Sequence, residues 1–327
     1  MFTRLLPAAI AAASLMLATA PALAQTAPGT TSNGNETTVT GEVVSASRLG
    51  RQQQAPRPQR QNRNSQRAAA APTAEQIKAA TEALILATGA TCQTTETVVR
   101  GQIGEGQPVY EAACATGSGL VLIGTTPPQA IDCVILAGQA EISRARDPDA
   151  DVGLQCLIEA NKDVVKVIAG YAATAGVTCT VDQGASVGKS SADNVIYEAG
   201  CAGTDGYWLE KTPAGWTTTT CQKVISTGGR CRYTTPEEQA ATVKAWFVGS
   251  AAAPCDVVQA RYMGSNANGS FYEAKCAVGD GLIARFDNAM AVQQVYPCAE
   301  AQRIGGGCTL TVVPAAAPAA PAATPQR

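Results

Sequence analysis

The 327-residue chain has no histidine. That absence removes Ser-His and Cys-His nucleophile activation, imidazole metal sites and the usual proton shuttle near neutral pH. After the first two dozen residues, no apolar run is long enough to cross a bilayer. The nearest cysteines in sequence stand ten apart, which excludes a Cys-x-x-Cys redox site and the usual zinc spacing. No pair of acids stands in a recognisable hydrolytic context, so carboxylate-pair hydrolysis has no particular residues to point to. Neither an enzyme, a cofactor nor a metal centre is expected.

What the chain has instead is a phrase written three times. Tyr110-Glu111-Ala112-Ala113-Cys114 recurs as Tyr197-Glu198-Ala199-Gly200-Cys201 and as Tyr272-Glu273-Ala274-Lys275-Cys276. Three further cysteines accompany each phrase in the same order, so all twelve cysteines fall into three sets of four. Self-similarity at a fixed period marks one small unit copied in tandem.

The first 24 residues read as a cleaved secretory signal. Arg4 precedes an apolar run from Leu5 to Leu17, and Ala22-Leu23-Ala24 ends it. The first cysteine is Cys92, so none sits at the cleavage point to carry a lipid. The remainder is expected in the periplasm or secreted, with no membrane span, where disulfides form and persist. Residues 25–72 are rich in Gln, Pro, Asn, Ser and Arg and read as a disordered basic arm. Residues 313–327 form a Pro/Ala-rich tail. Residues 1–72 hold seven Lys/Arg against two Asp/Glu, and the rest seventeen against twenty-four. A basic arm on an acidic body suits an anionic partner, although a solvated linker has the same composition. Within the arm, residues 37–48 have a period-two pattern that suits strand addition to a partner sheet.

The folded part divides into repeats at 73–158, 159–235 and 236–312. Each opens on a helix. Thr73-Ala74-Glu75-Gln76 is a capping-box pattern, and Thr235-Pro236-Glu237-Glu238 repeats it with Pro at the first helical position. Apolar residues then recur at helical spacing: Ile77, Ala80, Leu84; Val164, Ile168, Tyr171; Val243, Trp246, Phe247. Gly89, Gly176 and Gly249 are candidate stops.

Two strands follow between the first and second cysteines, with turn formers midway at Gly104-Gly106, Gly188-Ser191 and Gly264-Asn266. A hairpin turning at its middle brings its ends together. That geometry predicts Cys92–Cys114, Cys179–Cys201 and Cys255–Cys276, and elimination leaves Cys133–Cys156, Cys221–Cys231 and Cys298–Cys308. In the signature strand Tyr and Cys share one side, and Glu111, Glu198 and Glu273 point to the other. The three Glu are expected as solvated carboxylates on an exposed sheet face. Asp205-Gly206 and Asp280-Gly281 are expected as tight turns before a third strand. Trp208, Trp216 and Trp246 are read as core residues. The fold class is therefore α+β: three disulfide-bonded repeats, each a helix followed by an antiparallel meander.

Two motifs mimic ligand sites. Gly184-Ala185-Ser186-Val187-Gly188-Lys189-Ser190 is one residue short of a P-loop and lies on a predicted hairpin. Asp147-Pro148-Asp149-Ala150-Asp151 imitates a calcium loop, but Val152 stands where Gly is required and Ile158 where the closing Glu belongs.

The segment from the helix through Gly106-Gln107-Pro108-Val109-Tyr110-Glu111-Ala112 resembles the PepSY domain family, whose unit is also a helix followed by a strand meander with a Gly-x-x-Tyr-Glu-Val phrase. The resemblance covers about forty residues per repeat. It is carried in the other copies by Asn194-Val195-Ile196-Tyr197-Glu198 and Gly269-Ser270-Phe271-Tyr272-Glu273. It implies an extracytoplasmic protein, and a regulator or inhibitor of a peptidase as one reading. The cysteines are not part of that family's pattern, and no functional residues transfer. Three functions are left open: a non-enzymatic binding or structural module of a bacterial cell envelope, a peptidase regulator, and a carboxylate-dependent hydrolase. The first is expected, with an envelope protein or polymer as partner and no nucleic acid.

Overall fold

A computed structural model describes residues 71–311. The leader, the tail and all but the last two residues of the arm lie outside the described residues, as does the 37–48 segment. Three units follow one another, each a helix, a four-stranded antiparallel meander and a return segment. Repeat 1 comprises α1 (Ala74–Ala87), β1 (Thr94–Ile103), β2 (Gln107–Cys114), β3 (Leu120–Ile123), β4 (Gln129–Asp132) and α2 (Cys133–Arg146). Repeat 2 comprises α3 (Glu159–Lys162), α4 (Val164–Thr174), β5 (Val181–Lys189), β6 (Val195–Cys201), β7 (Thr204–Thr212), β8 (Gly215–Thr220) and α5 (Cys221–Ser226). Repeat 3 comprises α6 (Pro236–Phe247), β9 (Val257–Asn266), β10 (Gly269–Cys276), β11 (Leu282–Phe286) and β12 (Val292–Pro297). Strand order within each sheet follows the sequence.

The helices start where side chains satisfy free amides. Thr73 and Gln76 form a reciprocal capping box on α1, and Thr235 and Glu238 form another on α6 behind Pro236. Gly89, Gly176 and Gly249 end their helices with positive φ, between 68° and 81°. The bridges are Cys92–Cys114, Cys133–Cys156, Cys179–Cys201, Cys221–Cys231, Cys255–Cys276 and Cys298–Cys308. No free cysteine remains. Six closed disulfides fit a non-cytoplasmic compartment. Among the described residues, no helix is long and apolar enough to cross a membrane.

Each sheet buries its Tyr-and-Ala face against its own helix. In repeat 3, Val243 and Phe247 of α6 meet Tyr272, Ala274, Ala284 and Phe286, with Trp246 edge-on to Tyr272 at 5.2 Å. In repeat 2, Ile168 and Ala172 of α4 meet Tyr197, Ala199 and Leu209, and Trp216 packs on Tyr171 at 4.9 Å. Repeat 1 uses smaller groups: Ile85, Ala112 and Leu122.

The repeats join through two recurring contacts. The helix after the third cysteine packs against the first strand of the next sheet, α2 on β5 and α5 on β9. Val134 of α2 belongs to the core of repeat 2. A Cβ on Gly138 would lie 2.5 Å from Ser186 O, so only glycine lets α2 approach β5 this closely. The following helix also accepts from an amide at or near the start of the third strand behind it. Ser118 N donates to Tyr171 Oη at 3.0 Å, and Asp205 N donates to Thr242 Oγ1 at 2.6 Å.

Helices α2 and α5 were not expected from sequence. Their start signals are the capping residues just before the third cysteine. Asp132 accepts from Val134 N and Ile135 N, and Thr220 accepts from Lys223 N.

Candidate functional site: buried carboxylates under the return segments

The signature glutamates overturn the solvated reading. Glu111, Glu198 and Glu273 are each 0% exposed. They do face away from the repeat's own helix, but a second layer covers that face. The chain after the fourth cysteine folds back over the sheet and aims its amides at the carboxylate. Glu111 accepts from Leu157 N at 2.9 Å, Ile158 N at 2.9 Å and Asn161 Nδ2 at 2.9 Å. Glu198 accepts from Arg232 N at 2.5 Å and Tyr233 N at 2.6 Å. Glu273 accepts from Thr309 N at 2.8 Å and Leu310 N at 2.6 Å. In all three copies the donors are the first two residues after the fourth cysteine. A carboxylate is the group for this task because it offers four lone-pair sites and each bond is charge-assisted.

A cation completes the arrangement in two copies. Arg100 pairs with Glu111 and also donates to Gln155 O at 2.8 Å. Arg261 Nε donates to Glu273 at 2.6 Å, and its Nη2 donates to Gly307 O at 3.0 Å. Both carbonyls belong to the residue before the fourth cysteine. The two arginines reach the site from different places on the first strand: Arg100 lies in the register shift of β1, and Arg261 lies directly opposite Glu273. Repeat 2 has Ala185 opposite Glu198, and the one arginine bonded to that carboxylate, Arg232, reaches it through its backbone amide rather than its guanidinium. Trp208 faces Glu198 across the β6–β7 pair. Its indole N–H and Glu198 Oε2 are both buried without a partner at hydrogen-bond geometry, although the indole lies near enough to favour the ionised form.

The acids differ accordingly. Burial pushes the Glu111 carboxyl up, but the Leu157 amide, Asn161, the Ile158 amide and Arg100 outweigh it and hold the group below its ordinary value. For Glu198 burial prevails over the Tyr233 and Arg232 amides and the Arg232 charge, so the carboxyl sits above its ordinary value.

A second recurring polar position lies at the start of the third strand or just before it. The expected Asp-Gly turns are not there. The β6–β7 turn is Ala202-Gly203, with Gly203 at φ 70°, and Asp205-Gly206 lies inside β7. Gly279, at φ 85°, provides the bend before Asp280. Asp205 and Asp280 instead reach across to cap the segment after the third cysteine. Gln222 N donates to Asp205 Oδ2 at 3.2 Å, and Ala299 N donates to Asp280 Oδ2 at 3.0 Å. Ser118 accepts from Val134 N at 3.2 Å in the same place in repeat 1. The glycine that follows is required by close packing. A Cβ on Gly119, Gly206 or Gly281 would overlap Asn161, Thr234 or Thr311 of the return segment.

The sulfurs of each second disulfide and a signature carboxylate oxygen lie within 4.8 Å of one another. Closed disulfides offer no thiolate, so these groups build no metal centre. The P-loop mimic is strand β5 followed by a turn, with no helix to bind phosphate. The calcium-loop mimic is an exposed turn whose Asp147 and Asp151 accept from their own neighbours, Asp149 N and Gly153 N.

Two surface clefts open beside the helices. One, of about 630 Å³, lies between α1 and the start of β1 and is lined by Lys78, Glu82, Leu86 and Gln93. The other, of about 280 Å³, lies between the end of α6 and edge strand β12 and is lined by Trp246, Val248, Gln293 and Val295.

A scan against protein-family models and searches of curated proteins and of solved structures found no match to this chain.

Proposed function

We propose that this is an exported, non-enzymatic binding or structural module of a bacterial cell envelope. In this reading three cross-braced repeats present a durable surface, and the basic arm recruits or tethers. One observation carries the reading. The side chains that could do chemistry are spent on holding the fold. All twelve cysteines are in disulfides, and the three repeated carboxylates are occupied by backbone amides of their own repeat. Repetition of the same internal clamp, rather than of an open acidic site, is what a scaffold requires.

The test is to purify the mature protein, with and without residues 25–72, from crosslinked envelopes and to identify what accompanies it by mass spectrometry. Recovery of an envelope complex or glycan that depends on the arm supports the module. Recovery of one peptidase that the repeats alone inhibit replaces it with the regulator suggested by the PepSY resemblance. Turnover of an envelope polymer, lost on changing a single Asp or Glu, replaces it with a hydrolase.

A further inference from the structure

Asp205 stands where the third repeat is fastened to the second. It is 3% exposed. Its amide donates to Thr242 on α6, and its Oδ2 accepts from Gln222 N at the start of α5. Gln222 Nε2 in turn donates to Gln239 O on α6 at 3.0 Å. Three polar atoms of this cluster are buried without a partner: Asp205 Oδ1, Gln222 Oε1 and Gln239 Nε2. The next residue ties down the same crossover, since Gly206 N donates to Thr234 Oγ1 at 3.1 Å.

The other repeats serve as controls. The first joint has Ser118 in this place, with no charge to gain or lose there. Its acid, the half-buried Asp132, is at the N-cap of α2 with two amides on its carboxylate, although desolvation still holds that carboxyl above its ordinary value. Asp280 in repeat 3 is exposed among the described residues. Among the described residues, only at the joint between repeats 2 and 3 does an Asp at this position lie under a following helix.

We propose that Asp205 is a proton-operated latch between repeats 2 and 3. Protonated, it holds α6 against β7 and α5; ionised, it loosens that joint. The groups facing it supply no compensating cation. From α6 comes Glu238, which adds like charge; from β7 and β10 come Tyr207 and Tyr272. The nearest lysine on α5, Lys223, is directed over the Tyr262 ring at 5.5 Å. A buried carboxylate with one oxygen unpartnered at hydrogen-bond geometry and no cation beside it is costly to ionise, and its protonated form avoids that cost. Burial, with Glu238 adding to it, pushes the Asp205 carboxyl up to about 7, against the pull of Gln222, Gln239 and Gly206. The latch therefore exchanges its proton near neutral pH.

Amide hydrogen exchange on the full chain tests this. Once corrected for the intrinsic rate, protection of α6 should fall by about tenfold per pH unit between pH 5 and 7. Asp205→Asn, which keeps an acceptor for Gln222 N, should abolish that dependence. The same pH dependence in Asp205→Asn, or a flat wild-type profile, overturns the proposal. Carbon-13 NMR of the wild-type side-chain carboxyl gives a reading that needs no variant. A midpoint near 7 supports the latch, and one near 4 overturns it.

Discussion

Replacing Glu273 by Gln isolates the carboxylate clamp at nearly constant volume. The wild-type group accepts from Thr309 N, Leu310 N and Thr309 Oγ1 and pairs with Arg261. Glutamine keeps one acceptor oxygen and places an NH₂ against donors. Hydrogen bonds to a charged group contribute about 1.5–3 kcal/mol each, and breaking a buried ion pair costs about 3–5 kcal/mol. These overlap rather than add. Arg261, at 32% side-chain exposure, recovers some hydration. A loss of about 3 kcal/mol is therefore expected, or a fall in Tm of about 6–12 °C for an array of this size. Urea unfolding read by tryptophan fluorescence and by circular dichroism checks it. Glu198→Gln should cost less, because no guanidinium is bonded to Glu198 and its carboxyl already lies above its ordinary pKa. Glu237→Gln, on the exposed first turn of α6, should stay within about 0.5 kcal/mol. Losses under about 1 kcal/mol for Glu273→Gln, or equal losses at all three positions, would refute the reasoning.

Reduction should melt the array. Each bridge closes a loop of 10 to 23 residues, and such closures contribute about 3 kcal/mol apiece; a thermal scan unchanged by excess dithiothreitol contradicts this. Gly206→Ala should destabilise by about 1–3 kcal/mol, because its methyl would overlap Thr234 Oγ1 and crowd Ala199 O; chemical denaturation reads it. Thr235→Ala removes the hydroxyl that accepts from Glu238 N and should cost about 1 kcal/mol, seen first as faster amide exchange in α6. Across the whole chain, Asp205 makes stability fall as pH rises. Its folded pKa of about 7 lies above the unfolded value of about 3.9, so the neutral form favours folding. The full contribution is present below about pH 4 and is lost by about pH 7. It amounts to about 4 kcal/mol at most, and Asp205→Asn should flatten that limb of a denaturation-versus-pH curve.

The repeat was legible because its signals are local. Thr73-Gln76 and Thr235-Glu238 mark helix starts within four residues. The hairpin turns lie midway between cysteines and bring them together. Whether Glu111 is wet or dry was not legible. Alternation along a strand says that Glu points away from Tyr, but not what lies on that side. The cover for Glu111 arrives 46 residues later and for Glu273 36 residues later, in segments with no regular structure of their own. The Asp-Gly pairs misled for a related reason. Asp-Gly is a strong turn signal in isolation, but here the aspartate has a distant amide to cap and the glycine a return segment to accommodate. The arginine partners share no common sequence position, since Arg100 and Arg261 occupy different register positions yet meet equivalent carboxylates.

The account rests most on the return segments being held by buried carboxylates, and amide hydrogen exchange at six residues tests that directly. Leu157, Ile158, Arg232, Tyr233, Thr309 and Leu310 lie outside every sheet and helix, yet their amides donate to Glu111, Glu198 and Glu273. The account predicts protection approaching that of the central strands at all six, lost pairwise in the matching Glu→Gln variant. Exchange at the rate of an unstructured loop in the wild-type protein would contradict it.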